Sequence, residues 1–522
     1  MVDFLDISVV GFAAFLIYAL KTSFAARAVW KKFGAVPGRR TLFSEFSMLG
    51  NLTREVKYVT PGGDKCWREK HNEYKLHGWD AITSISLWPT PRAGFLVSDA
   101  HVIKIIFSSR LRFPKPVQDY KILKFFGNNI VTTEFDEWKR YRRIAAPAFG
   151  EKNNKLAFEE SVRAIASLYE GRWRDKQKIV VDEALHLTLE AALMTISAAG
   201  FGHQINWEDD EASPGHKLSF KQSVEVVGTG VFIRVLCPKW IFEWAPIKKI
   251  REVRDGFAEF RSYLVEMINE RKLSDERDEK RDLLSNLISA NEEFMDDGEQ
   301  KLGEVELIGN IFIFYIAGHE TSGHTLCFAL NMLAVHQEEQ EALYQHIRDV
   351  LPDGRPPTYE DIPRLNRVTA ALYETLRMFP PAPVVPKYSA EDTSLVVGNQ
   401  AGETTVFPIP AGGKINIDVV GLHYNPRYWE DPSAFKPERF MGEYNKDAFV
   451  PFAWGARACI GRGFFETTGL AMLTTLIQRY RVEPHPKFAG ESFDRLKERY
   501  SQAKGMLILT PLLSSLVFKR RK

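Results

Sequence analysis

Apolar residues recur along most of this 522-residue chain at the three-and-four spacing of amphipathic helices, and the pattern dominates between about residues 100 and 350. The two-residue alternation of strands is confined to short pieces. Residues 82–87 and 94–97 flank a turn at Pro89 and Pro91, and residues 394–397 and 414–420 flank Pro410-Ala-Gly-Gly413. Residues 302–333 keep helical spacing with no proline. At about 1.5 Å per residue such a helix crosses a whole domain. A second helical run occupies 461–480. Prolines cluster at 379–386 and mark a rigid irregular segment, whereas 271–281 is densely charged with mixed sign and reads as a solvated face or connecting loop. The pattern predicts a mainly α protein with small β-sheets (α+β). No solenoid-period repeat or low-complexity linker divides it.

The N-terminus breaks this pattern. Residues 7–20 are uncharged and mostly apolar; Asp3 and Asp6 precede them, and Lys21, Arg27, Lys31, Lys32, Arg39 and Arg40 follow with no acidic residue in 21–40. A cleaved secretory leader carries its positive charge before the apolar run, so the pattern predicts a retained membrane helix, with the basic flank and everything after it cytosolic. The run is short for a full span and is expected to extend through 24–29; a helix lying in the membrane interface is the alternative. Val36-Pro37-Gly38 breaks the helix. The expected division is an anchor at 1–30, a hinge at 31–45 and one catalytic unit at 46–522.

Composition narrows the chemistry. Hydrophobic residues are 45% and charged residues 26%, as in a chain with a real core, and a net charge of +2 leaves no electrostatic footprint for nucleic acid. Cys66, Cys237, Cys327 and Cys459 are far apart and form no C-x-x-C pair, which argues against a zinc ribbon or a disulfide framework. Reduced thiols facing the cytosol are the simplest reading.

The most specific stretch is Phe452-Ala-Trp-Gly-Ala-Arg-Ala-Cys459-Ile-Gly461. A cysteine just before a helix meets the positive end of the macrodipole, which favours a thiolate and hence a metal ligand. Gly455 allows a tight turn under a flat cofactor, Gly461 allows close approach of the helix, and Arg457 is placed for an anionic group. Within the long helix, Ala317-Gly-His-Glu-Thr-Ser322 combines Gly318, which removes bulk, with Thr321, whose hydroxyl can bond back one turn and bend the helix. His319-Glu320 with His324 superficially suggests H-E-x-x-H, but the second histidine falls at i+5, off the face a zinc site needs. Glu374 and Arg377 share a helix face, as do Trp138 and Arg142. Pro437-Glu-Arg-Phe440 follows the proline cluster.

Five motifs in this order, covering about residues 130–480, resemble those of the cytochrome P-450 superfamily: W-x-x-x-R, A/G-G-x-D/E-T-T/S, E-x-x-R, P-E-R-F and F-x-x-G-x-R-x-C-x-G. The chain looks like a membrane-anchored, microsomal, fungal-type member. The resemblance implies the cytochrome P-450 fold, with haem b between the long central helix and the Cys-bearing loop, and Cys459 as axial ligand of the haem iron. It implies that Arg457, Trp138 and Arg142 meet the haem propionates, with Lys387 standing where the family usually carries arginine. Phe452, Gly455, Gly461 and Gly318 are then cofactor-binding, and Thr321 and Glu320 catalytic through proton delivery. Glu374, Arg377 and Arg439 become a structural triad, and His423 a packing residue. The implied activity is monooxygenation of a C–H bond in a small hydrophobic substrate such as a fatty acid, terpenoid or other secondary metabolite. Electrons would come from NADPH by way of NADPH–cytochrome P-450 reductase, with cytochrome b5 as a further candidate donor, at the endoplasmic reticulum membrane and with no nucleic acid partner. A haem-thiolate isomerase or dehydratase and a haem-based sensor are the rival readings. The former commonly lose the threonine retained here as Thr321, and the latter would not depend on an electron partner.

Overall fold

A computed structural model of the chain describes residues 4–33, 35–44, 50, 53–88, 90–208, 211–273, 282–293, 301–505 and 508–521. Pro89 and most of the charged 271–281 stretch lie outside the described residues. The principal helices are α1 (Phe4–Phe33), α2 (Ala100–Ser108), α3 (Phe135–Ala145), α4 (Glu151–Glu170), α5 (Ala184–Thr195), α6 (Phe220–Leu236), α7 (Lys248–Leu273), α8 (Leu283–Glu293), α9 (Glu304–Val335), α10 (Gln337–Val350), α11 (Asn366–Met378) and α12 (Arg462–Arg479). The strands are β1 (Gly38–Phe43), β2 (Ala81–Trp88), β3 (Arg92–Val97), β4 (Lys178–Val181), β5 (Val384–Tyr388), β6 (Thr393–Gly398), β7 (Thr404–Ile409), β8 (Lys414–Asp418), β9 (Tyr480–Pro484), β10 (Ala503–Gly505), β11 (Leu509–Pro511) and β12 (Leu516–Arg520).

The central element is α9. Apolar residues on nearly all sides make it a largely buried helix rather than an amphipathic one, and it is sheathed by α5, α11, α7 and α12. Its first turn is fixed by Glu306, which accepts from the Gly303 N–H at 2.9 Å, the Tyr141 hydroxyl at 2.8 Å and Arg140 at 2.7 Å. Arg140 thus serves an ion pair that ties α3 to α9. The main core surrounds α9, and a second core lies over the five-stranded sheet.

That sheet runs β1-β2-β3-β8-β5, with β1–β2 and β3–β8 parallel and the remaining pairs antiparallel. It joins strands from two distant stretches of the chain, residues 38–97 and 384–418. β1 lies inside the segment expected to be a hinge, and β5 carries Pro386 from the proline cluster. A proline is tolerated there because β5 is an edge strand. Three strands, β4-β12-β9, close the C-terminus against the helical layer.

The apolar N-terminal run forms part of α1. Among the described residues no helix is long and apolar enough to cross a membrane. Leu16, Ile17, Leu20, Phe24 and Trp30 nevertheless stand exposed along α1, while its last residue, Phe33, is buried against Phe95 of β3 with ring centroids 5.8 Å apart.

Candidate functional site

The Cys459 loop is held from below by a buried charge network. Arg377 and Glu374 are both fully buried and paired through two hydrogen bonds, Nε–Oε2 at 2.7 Å and a second guanidinium nitrogen to Oε1 at 2.9 Å. The remaining donors of Arg377 reach the carbonyls of His423 (2.8 Å), Pro432 (2.9 Å) and Ala434 (3.2 Å). Glu374 also accepts from the Lys436 N–H at 2.9 Å and from Arg439 Nε at 3.4 Å; Arg439 donates in addition to the Asp431 carbonyl at 2.8 Å. A buried guanidinium is tolerable only with its donors satisfied. His423 continues the chain of contacts. Its Nδ1 donates to the Arg377 carbonyl at 3.0 Å and its Nε2 accepts from the Val450 N–H at 3.0 Å, so the residue expected to pack connects the ion pair to the chain segment entering the loop. Burial, reinforced by the Arg377 charge, holds His423 at about 3, so the acceptor nitrogen stays unprotonated.

Above this base the loop turns tightly. Ala453 and Gly455 have positive φ (57° and 74°), the Cys459 N–H donates to the Phe452 carbonyl at 2.9 Å, and Gly461 starts α12. The Cys459 side chain is accessible. Burial of its surroundings pushes the thiol up from its ordinary value, against the pull of the Gly461 N–H and the Arg142 charge. The helix-end field expected to favour a thiolate is therefore outweighed by desolvation. A bound metal ion reverses that balance, since coordination deprotonates a thiol outright. Phe452 rests against Phe465 at 5.9 Å, with the Arg462 guanidinium 5.5 Å from its ring.

Three of the residues expected on the cofactor side also have protein neighbours that give them a structural role. Gly455 does not simply make room for a ligand: a Cβ there would sit 2.9 Å from the Phe107 carbonyl of α2, so the residue lets the loop press against α2. Gly318 faces Ile196 at 3.2 Å and serves helix packing next to the π turn Ile196–Gly200. Arg142 donates to the Ala458 carbonyl at 3.1 Å, bracing the residue before Cys459. For Gly455→Ala, positive φ alone costs about 1–2 kcal/mol, and the backbone collision adds to it. The expected result is a lower melting temperature with weakened haem retention, read by thermal denaturation and by absorbance after gel filtration.

One flank of the loop carries a surplus of buried positive charge. Trp138 is buried between the guanidinium groups of Arg110 and Arg457, 4.6 and 4.7 Å from its ring. Arg457 donates to the Ile130 carbonyl at 3.1 Å and to the Thr133 carbonyl and the Glu134 carboxylate, yet its Nε is buried without a partner among the described residues. Lys387 is buried, and its ammonium is pulled down to about 8 by burial, with Glu134 opposing and Arg457 and Arg110 adding to the shift. Lys115, which the sequence reading missed, donates to the Val131 carbonyl at 2.8 Å and lies 3.6 Å from the Tyr120 ring. Burial and the charges of Arg457 and Lys387 push it well below the usual lysine range, against the opposing pull of Glu134. Arg110, Lys115, Lys387 and Arg457 thus converge with Glu134 as the carboxylate among them, an arrangement that calls for an anion.

On α9, the Thr321 hydroxyl donates to the Ala317 carbonyl at 2.7 Å and the Thr325 hydroxyl to Thr321 O at 2.8 Å. His319 and His324 donate from Nδ1 to the Tyr315 and Glu320 carbonyls at 2.8 and 2.5 Å. Such side-chain bonds to carbonyls one turn back share acceptors with the helix's own ladder, and α9 stays continuous through them. Ala317 is exposed and Thr321 half-buried, whereas residues 312–316 are core: Phe312 and Tyr315 join an aromatic cluster with Phe126, Phe220 and Phe260. The Glu320 carboxyl is raised to about 7 by burial. Phe149 links the two halves of the site. Its ring is 5.1 Å from Phe314 of α9 and lies 3.9 Å from where a Cβ on Gly461 would be.

Comparison with known proteins agrees in extent. A sequence model described as Cytochrome P450 matches residues 83–508. "Cytochrome P450 monooxygenase 124" of Postia placenta is 45% identical over 506 residues, 96% of this chain and 97% of its own. "Cytochrome P450 monooxygenase ORF6" of Penicillium roqueforti is 27% identical, covering 86% of this chain and 83% of its own. "Cyclooctat-9-en-7-ol 5-monooxygenase" of Streptomyces melanosporofaciens is 27% identical, covering 76% and 82%.

Proposed function

The chain belongs to the cytochrome P450 family of monooxygenases, and from that premise we propose that it hydroxylates a C–H bond of a small hydrophobic molecule with electrons from NADPH delivered by a reductase. The observation that carries the proposal is the accessible Cys459 thiol on a loop braced by Glu374, Arg377 and His423 and flanked by four cations that share one carboxylate, Glu134. Those residues fit haem b: Cys459 Sγ would bind the iron, and Arg110, Lys115, Lys387 and Arg457 would hold its two propionates. The unpartnered Nε of Arg457 is the donor such an anion would satisfy. When bound, the haem supplies dioxygen activation, by which one oxygen atom enters a C–H bond and the other leaves as water with two electrons and two protons.

The chain's own share is positioning and proton supply. Thr321 presents its hydroxyl at the partly open stretch of α9, where it can turn from the Ala317 carbonyl toward a substrate-side acceptor. Glu320, raised to about 7 by burial, both holds and releases a proton near neutral pH. Thr321→Ala is expected to keep NADPH oxidation but lower product per NADPH by on the order of 10²-fold, with peroxide in its place. Unchanged coupling would remove Thr321 from the reaction. The substrate class is tested by type I spectral shifts of the purified protein against lipids, terpenoids and aromatics.

We place the protein at the endoplasmic reticulum membrane, with α1 as its anchor and cytochrome b5 as a second donor. The support is chemical: exposed apolar side chains along α1, a basic flank after it, and exposed Trp240, Trp244 and Ile247 beside Lys239, Lys248 and Lys249. Tryptophan next to lysine suits a headgroup boundary. Partition of the full chain and of a chain lacking residues 1–33 between vesicles and buffer decides it.

A further inference from the structure

We propose that Gly228 of α6 is a positioning residue for Glu320: the side chain missing at Gly228 forms the seat in which the Glu320 carboxyl rests. Three glycines mark this part of the α6–α7 hairpin, and two belong to its seam. A Cβ on Gly230 would lie 2.8 Å from Val253, and one on Gly256 would lie 2.3 Å from Val226. Gly228 has a different neighbour. Its Cβ would lie 2.9 Å from Glu320 Oε1, closer than side chains approach one another, and no other heavy atom meets it. Glycine inside a helix costs about 1 kcal/mol relative to alanine, so its occurrence here calls for a packing reason. The carboxyl supplies one.

The seat matters because the carboxyl that rests against it is buried. Burial raises Glu320 to about 7 with no charged group among the causes. The neighbouring charges are engaged elsewhere. On α9, His319 and His324 bond backbone carbonyls, and burial keeps both below the usual histidine range. On α6, Lys221 pairs with Glu190 of α5, Arg234 lies over Phe125 and Phe242, and Glu225 is exposed. His186 of α5 is near Glu190, and on α11 Glu374 pairs with Arg377. Displacing the carboxyl from α6 therefore has one electrostatic consequence, return toward water and the ordinary carboxylate range. A glutamate is flexible at its far end, so a methyl group at 228 moves the carboxyl rather than the helix. This inference rests on the proposed role of Glu320 in proton supply, and it predicts that the placement of α6 sets the pH range over which that supply works.

The test uses the haem-loaded full chain. Infrared titration of the protonated-carboxyl band, assigned to Glu320 by its loss in Glu320→Gln, reads the group without turnover; coupling of NADPH oxidation to product against pH reads its use. Gly228→Ala is expected to move both to lower pH by about one unit, which is ten-fold less protonated carboxyl on the alkaline side. Glu320→Asp reads the same contact from the other side. One methylene shorter, it cannot fill the seat, and its titration moves the same way by more than the ~0.4 units that separate the two free carboxyls, even where the glycine variant fails to hold haem. Combining the two substitutions relieves the collision and adds no further shift. An unchanged infrared titration in Gly228→Ala, or, where that variant does not fold, a shift in Glu320→Asp no larger than the ~0.4 units between the free carboxyls, overturns the seat. If Glu320→Gln leaves coupling and its pH profile intact, the proton-supply reading falls instead, and the infrared titration still decides the placement.

Discussion

Glu374→Gln is expected to destabilise the fold by about 3–5 kcal/mol, the cost of leaving a buried guanidinium without its counter-charge. Against a typical net stability of about 5–15 kcal/mol, that loss removes most of the folded population of a weakly stable domain. The effect is large because Arg377 is fully buried and anchors three carbonyls beyond Glu374, those of His423, Pro432 and Ala434. When the ion pair fails, the route from Arg377 through His423 to the Val450 N–H fails with it, and the Cys459 loop loses its base. The measurement is the denaturation midpoint and the haem content of purified protein. Replacing both partners by apolar residues removes the stranded charge, so Glu374→Gln combined with Arg377→Met is expected to recover part of the stability but not the position of the loop. A single variant as stable as the parent would mean that the network does not support the fold.

Cys459→Ser should do the opposite: leave the fold in place and end the chemistry. In the fold, Cys459 contributes its backbone N–H to Phe452 O, while its side chain is accessible and fills no core space. Substitutions of that kind stay within about 0.5 kcal/mol. Serine cannot supply the thiolate that promotes O–O cleavage, so product formation in the presence of reductase and NADPH falls to background. The two variants therefore separate the site into a part that holds and a part that reacts. They do so by stability, which drops in one and not in the other, and by activity, which drops in both.

What could be read from the chain alone follows the range of the interactions involved. Helical periodicity is local, so the span read at 302–333 and the helix Glu304–Val335 nearly coincide, as do 82–87 and 394–397 with β2 and β6. Strand pairing is not local. Nothing at residues 38–43 announces that they join a sheet with β2, and the proline at 386 argued for irregular chain until the edge position of β5 accommodated it. The same division holds at the site. Glu374 and Arg377 are one turn apart and could be paired on paper. Lys115 could not be matched with Lys387, some 270 residues away, because only the fold brings both within electrostatic reach of Arg457 and Glu134. The glycines were hardest of all. A missing side chain says that something comes close but not what: Gly318 meets Ile196, Gly455 meets Phe107, and Gly228, which drew no notice, meets the carboxyl.

The claim that everything else leans on is that Cys459 sulfur is the ligand of a haem iron. The ferrous–carbonyl difference spectrum of the purified, unsubstituted chain tests it most directly. A thiolate ligand gives a Soret band well to the red of that from a nitrogen ligand. The red-shifted band, lost in Cys459→Ser, is the predicted result; a nitrogen-type band, no band on addition of haem, or a thiolate-type band surviving in the serine variant would contradict the account.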